Sequence, residues 1–339
     1  MTSGQQSPLR SSALQSLAQP PTGSAGGAGR EVGGGPSLQD SAPIDAVVVT
    51  YNSQGHIEAC LASLRANQRL GQIVVVDCAS TDATRSMLIE QTALHNNVTL
   101  VDAGLNLGFG RAVNRGVAAT TSAYVAVFNP DLVADAGSLV ALGAALDADT
   151  NLAVVGPLVR NPDGSIYPSA RSFPSPGVAA GHSLLGLFWS ENPWSRRYRS
   201  ASGANPDWIS GTAMLFRRDA FEFVGGFDER YFMYVEDLDI CWRLRQHSFE
   251  VGIVRSVGVT HEIGGSTGPK RRRLLVEHHR SAWRFAKKSS QGSARVLLPI
   301  TACVLLVRLV AALVLPPRAT PHLAGIDNLS TRSAESQAG

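Results

Sequence analysis

Two apolar patterns take turns along the chain. Asp45-Ala-Val-Val-Val-Thr50, Gln72-Ile-Val-Val-Val-Asp77, Val98–Asp102 and Tyr124-Val-Ala-Val-Phe-Asn129 are short unbroken runs of β-formers. Such runs read as strands buried on both faces. Between them the apolar positions fall at helical spacing. One amphipathic helix ends near Asn67, and a second follows the Cys78–Asp82 turn, where Ser80 or Asp82 can cap it. A third opens within Gly104–Gly116. This alternation predicts an α/β fold, a parallel sheet with helices on both faces.

Further along, Trp208–Phe216 returns to strand character, and Arg217–Val224 reads as a short helix closed by Gly225-Gly226-Phe227-Asp228-Glu229. Leu238, Cys241, Trp242 and Leu244 then mark one apolar helix face. Glu236 and Asp237 sit in the first turn of that helix, where the helix dipole favours negative charge. Val251–Val259 is a strand pair or one long strand, and it delivers Thr260-His261 into a Gly264-Gly-Ser266 loop.

The fourth early strand runs straight into Asn129-Pro130-Asp131. Pro130 stops it, and ligands in open α/β sheets sit outside the carboxyl ends of strands. Asp131 there can hold a divalent cation against a diphosphate, because hard cations take oxygen ligands and share them with substrate phosphates. Its other reading is a cap for the following helix, Ala136–Leu146. Gly108-Phe-Gly110 resembles a fragment of a dinucleotide fingerprint. A third glycine is missing and the first strand lacks the motif, which argues against a Rossmann dehydrogenase.

Composition sets outer limits. The 339 residues are 44% hydrophobic and 17% charged, enough for one large globular domain with appendages. The net charge of +3 gives no global signal for nucleic acid. Cys60, Cys78, Cys241 and Cys303 form no C-x-x-C pair, so neither a disulfide framework nor a zinc site is expected and a reducing compartment fits. Residues 1–42 and 318–339 read as disordered tails. Residues 161–207 are rich in turn formers and read as a long loop; Arg160, Arg171, Arg196 and Arg197 either meet an anionic substrate or are solvated. Residues 291–317 hold an apolar run, Val296–Leu315, that is about long enough to cross a bilayer or to lie in its interface with Arg308 snorkelling. Lys270-Arg-Arg-Arg273, Arg280, Arg284, Lys287 and Lys288 precede it and suit anionic phospholipid head groups or a solvated helix face.

Seven short motifs occur in order: Val49-Thr50-Tyr51-Asn52; Val-Val-Asp77-x-x-Ser80-x-Asp82; Asn106-x-Gly108-Phe109-x-x-x-x-Asn114; Asn129-Pro130-Asp131; Gly225-Gly226-Phe227-Asp228-Glu229; Glu236-Asp237-x-Asp239-x-x-x-Arg243; and His261-x-x-Gly264-x-Ser266. Together they resemble the inverting glycosyltransferases of family 2, with the GT-A fold. The resemblance covers about residues 43–290: a nucleotide-binding half (43–156) and an acceptor and catalytic half (157–290). Within the family it is most similar to rhamnosyltransferases that act on polyprenyl-diphosphate-linked GlcNAc in actinobacterial cell-wall assembly.

The resemblance implies roles. Thr50, Tyr51 and Asp77 match residues that hold the nucleotide, with Asn106, Gly108, Arg111 and Asn129 on the nucleotide-sugar side. Asp131 matches the last acid of D-x-D and, with His261, ligates Mg2+ or Mn2+; Asn129 replaces the first acid and leaves that site with less negative charge. Asp237 matches the catalytic base, while Trp208, Asp228 and Glu236 match acceptor-side positions. The implied donor is dTDP-L-rhamnose, the acceptor is polyprenyl-diphospho-GlcNAc, and the place is the cytoplasmic face of the cell membrane.

Overall fold

The computed structural model describes residues 42–173, 193, 206–262 and 271–314. The expected tails, most of the 161–207 loop with Arg196 and Arg197, and the Gly264–Ser266 loop lie outside the described residues.

The first half follows the strand–helix alternation. Its elements are β1 (Ile44–Thr50), α1 (Ile57–Arg65), β2 (Leu70–Asp77), α2 (Thr84–Leu94), β3 (Val98–Asp102), α3 (Phe109–Val117) and β4 (Tyr124–Phe128). All four strands are parallel and lie in the order β3-β2-β1-β4. Their carboxyl ends are level: Thr50 pairs with Asp77, and Asp77 with Asp102. Successive β1 side chains point to opposite faces. Val47 joins a cluster with α3, while Ile44 and Val48 join Leu61 and Leu64 of α1 and Leu88 of α2. Both faces are thus buried, the reason these strands read as unbroken apolar runs.

Past β4 come β5 (Leu132–Ala134), α4 (Ser138–Ala148), β6 (Leu152–Arg160), β7 (Ile166–Tyr167), β8 (Ala170–Arg171), β9 (Trp208–Ile209), β10 (Ala213–Arg217), α5 (Arg218–Phe223), α6 (Glu236–Gln246) and β11 (Glu250–His261). The sheet continues β4-β10-β6-β11-β5, with β7 on β6 and a separate β8–β9 pair. β10 is antiparallel to both neighbours, so its amino end meets the carboxyl end of β4. The parallel ladders supply most of the pairing, and the sheet is a mostly parallel one with helices on both faces.

Four strands escape a reading of the sequence: β5, β6, and the two-residue β7 and β8, which lie in the stretch read as a loop. β5 has three residues, and it separates Asp131 from α4, whose N-cap is Gly137 at φ 79°. Asp131 therefore does not cap that helix. β6 contains Gly156-Pro157, which looks like the end of an element. Pro157 has no N–H to donate, and its partner strand accommodates it: the β11 register jumps from Val254↔Pro157 to Gly258↔Leu158. β11 is one long strand interrupted by that bulge.

The turn after β2 assigns its polar residues differently from a simple helix cap. Asp82 accepts the Thr84 N–H at 3.0 Å, whereas Ser80 turns back to Asp77. At the carboxyl end, α7 (Arg271–Ser289) leads through a 3-10 segment (Gly292–Leu297) into α8 (Leu298–Val314), which packs beside α7. Gly292–Val314 is long and apolar enough to cross a membrane, and none of its residues is buried.

Candidate active site

The site lies where the carboxyl ends of β1, β2, β4 and β11 meet the amino end of β10. Asp131 follows β4, and His261 is the last residue of β11. Antiparallel pairing of β11 with β5 (His261↔Leu132) brings the two side chains together, with His261 Nε2 3.1 Å from Asp131 Oδ2. The Glu262 N–H donates to the Asp131 carbonyl at 2.9 Å and locks the crossing. Asp131 Oδ1 and His261 Nδ1 are buried and have no hydrogen-bond partner. Buried polar atoms are normally satisfied, so these two mark a place prepared for something else. A carboxylate oxygen beside an imidazole suits a divalent cation. Among the described residues no three His, Cys, Asp or Glu side chains converge, so substrate oxygens and water would complete any metal shell.

Asp237 stands at the start of α6. Gly211 N–H donates to its Oδ2 at 2.9 Å and Leu238 N–H to its Oδ1 at 2.8 Å. The residue is partly buried. Burial raises its pKa, partly opposed by those two N–H groups and by Arg171. Glu236 beside it is 6% exposed and its Oε2 lacks a partner; burial first, then the charge of Asp237, raise its pKa as well. The preceding Tyr234 and Val235 have φ of 67° and 72°. A left-handed β-branched residue is strained by about 1–3 kcal/mol and persists only where its surroundings impose it.

Backbone contacts join the two acids. Asn129 N–H donates to the Thr212 carbonyl at 3.0 Å, and Gly211, the residue before Thr212, holds Asp237. Asp131 and Asp237 thus flank the β4–β10 seam at one end of the sheet. A side-chain wall runs alongside: Tyr167 meets His261 edge-on with ring centroids 6.3 Å apart, and Arg171 lies 5.8 Å from the Tyr167 ring and 5.1 Å from the Trp208 ring. Trp208 is 5% exposed and donates Nε1–H to the Ser172 carbonyl, so it supports Arg171 from within the core.

At the ends of β1 and β2, Thr50 is fully buried with an unpartnered Oγ1, Tyr51 is exposed, and Asp77 is buried. Asp77 accepts the Ser80 O–H at 2.5 Å and N–H at 3.2 Å. Asn106 accepts the Gly108 N–H at 3.1 Å. Gly108 has φ 79°, and a Cβ on it would strike the Phe232 carbonyl. That carbonyl also accepts the Phe109 N–H at 3.0 Å. The Gly-Phe-Gly turn thus fits a neighbouring loop closely, a need that its likeness to a phosphate-binding fragment does not express. Arg111 pairs with Glu229 at 3.2 Å. Asp228 pairs with Arg230 at 2.6 Å and Lys288 at 2.8 Å.

Sequence reasoning passed over Tyr167, Gly211 and Lys288. Gly211 acts through its backbone, which leaves no side-chain signal, and Lys288 is hidden within a basic run.

The chain matches the model for glycosyl transferase family 2 over residues 45–225. It is 39% identical over 271 residues to the N-acetylglucosaminyl-diphospho-decaprenol L-rhamnosyltransferase of Mycobacterium tuberculosis, covering 75% of this chain and 87% of that protein. Over 206 residues it is 28% identical to rhamnosyltransferase WbbL of Escherichia coli, covering 58% and 75% respectively. Among solved structures, the mannosyltransferase PcManGT from Pyrobaculum calidifontis, in complex with GDP-Man and Mn2+, shares the fold at TM-score 0.54 and 18% identity, covering 89% of this chain and 83% of that one. With a carboxylate pair across one sheet edge and this family match, the chain belongs to the family 2 glycosyltransferases and has the GT-A-like α/β fold.

Proposed function

We propose that the protein transfers L-rhamnose from dTDP-L-rhamnose, with inversion, to polyprenyl-diphospho-GlcNAc at the cytoplasmic face of the membrane, in building the linker between arabinogalactan and peptidoglycan. The placement of Asp237 carries the mechanistic part. It is fixed by two N–H donors, one of them Gly211 just before β10, where the adjoining Thr212 carbonyl accepts the N–H of Asn129, two residues before Asp131. The 39% identity to the mycobacterial rhamnosyltransferase supports the choice of sugar and acceptor.

In this reading Thr50, Tyr51 and Asp77 seat the nucleotide at the ends of β1 and β2. Asp131 and His261 would hold Mg2+ or Mn2+, which offsets charge on the departing diphosphate. Asp237 takes the proton from an acceptor hydroxyl. That oxygen forms its bond to the anomeric carbon as the bond from that carbon to the diphosphate breaks on the opposite face, inverting the centre and releasing dTDP. One acid suffices, and no covalent enzyme intermediate is needed. The raised proton affinity of Asp237 suits it to accept that proton. The unburied apolar α8 suits a lipid-linked acceptor, since it can rest in or cross the membrane that carries the polyprenyl chain.

The test is a donor screen with purified full-length protein and vesicles containing polyprenyl-diphospho-GlcNAc. The expected result is consumption of dTDP-L-rhamnose and a lipid product heavier by one rhamnosyl unit. Consumption of UDP-galactose or GDP-mannose in its place would overturn the donor assignment.

A further inference from the structure

We propose that Lys288 is a positioning residue for the transfer reaction: through it α7 clamps the Asp228–Val235 loop and the amino end of α6, and so sets Asp237 in the cleft. This rests on Asp237 being the base. Lys288 lies outside residues 45–225, the stretch the family model matches.

The Lys288 Nζ lies 2.8 Å from Asp228 Oδ2 and 2.7 Å from Asp239 Oδ1. Asp239 is wholly buried on α6, two residues after Asp237. Each acid also has an arginine. Asp228 has Arg230, which together with Lys288 holds its carboxyl well below the usual range, and Asp239 has Arg243 at 2.7 Å. What Lys288 adds is a tie between elements: the partners Arg230 and Arg243 are local, whereas Lys288 comes from α7.

The rest of α7 follows the same loop residue by residue. Arg284 donates to the Arg230 carbonyl and lies 5.7 Å from the Tyr231 ring. Arg273 lies 5.3 Å from the Phe232 ring, and Ser281 Oγ donates to the Met233 carbonyl at 3.0 Å. His278 meets Tyr234 edge-on at 5.5 Å. On its other side the loop is held by α3: Phe109 N–H donates to the Phe232 carbonyl, and Asn114 exchanges two hydrogen bonds with Phe227, at 2.8 and 2.9 Å. The left-handed Tyr234 and Val235 end this loop directly before Glu236 and Asp237. Their strain needs enforcement from outside, and α7 supplies one of the two jaws.

A base moved by about 1 Å loses on the order of 10²-fold in rate. Lys288→Met in the full chain should therefore lower kcat by about 10–100-fold, leave KM for the donor within about twofold, and leave dTDP affinity by calorimetry unchanged. Lys288→Arg should restore most of the rate. Ser281→Ala, which deletes one neutral hydrogen bond and no charge, should show the same pattern more weakly. Amide hydrogen exchange over residues 228–239 should quicken in Lys288→Met and Ser281→Ala, and this readout needs no donor sugar. If wild-type protein fails to turn over dTDP-L-rhamnose while exchange still quickens in the variants, the donor assignment falls and the clamp stands. Unchanged exchange, unchanged kcat, or a raised acceptor KM at constant kcat would each overturn the proposal. If Lys288→Met does not fold, Ser281→Ala decides by the same measurements.

Discussion

Asp237 and Asp131 stand at the same edge of one sheet, but their surroundings differ. Asp237 has both oxygens held by backbone N–H groups, on a helix entered through two strained residues and a loop gripped from two sides. Asp131 has one oxygen beside His261 and the other buried without a partner, and His261 Nδ1 and Thr50 Oγ1 are likewise unpartnered. In the proposed mechanism the Asp237 carboxylate is already fixed by the protein, whereas the Asp131 corner would be completed by substrate oxygens and a cation. Glu236 Oε2 beside Asp237 is also unpartnered, so the contrast concerns the two aspartates themselves.

Changes at the two corners should therefore fail in different ways. Asp237→Asn keeps the shape and removes the proton acceptor; kcat should fall by about 10²–10⁴-fold with dTDP binding intact by calorimetry. Residual activity close to wild type would place the base elsewhere. Asp131→Asn should lower kcat/KM for the donor by about 10²-fold, corresponding to roughly 3 kcal/mol of lost charge stabilisation, and should raise the Mn2+ concentration needed for half-maximal rate. A variant whose Mn2+ dependence matches wild type would remove Asp131 from the diphosphate corner. Gly108→Ala forces a Cβ against the Phe232 carbonyl at a left-handed φ, so it should destabilise the fold by about 1–3 kcal/mol in urea titration and slow turnover with it.

The smallest effect concerns stability against pH. Folding raises the pKa of Glu236, through burial and the neighbouring Asp237. A carboxyl of this kind is comfortable while protonated and destabilises the fold as pH rises from its unfolded value, near 4.3, through its raised folded value. Glu236→Gln should therefore increase Tm at pH 8 and give no gain at pH 4, as followed by calorimetry. An equal gain at both pH values would show that packing, not ionisation, sets the strain.

The sequence was readable where burial and periodicity coincide. β1 to β4 are buried on both faces, so their unbroken Val-rich runs announce them, and the order of short polar motifs points to the family. Pro157 hid β6 because its missing N–H is tolerated only beside the β11 bulge, which no local pattern reveals. Three residues were too few to show β5, yet β5 separates Asp131 from α4.

By itself the sequence determined that strands and helices alternate in the first half, that acids follow strand ends, and that Val296–Leu315 is an apolar run. Only the tertiary structure decided which acids share an edge, because β10 runs antiparallel and brings Gly211 and Asp237 to the end of β4. It also decided that Lys288 faces two carboxylates inward, although its neighbours in sequence look like a solvated basic face. The physical reason is the same in both cases. Local propensity is set within a few residues along the chain, whereas pairing between distant strands and between charges on different helices is settled only when the sheet and its layers pack.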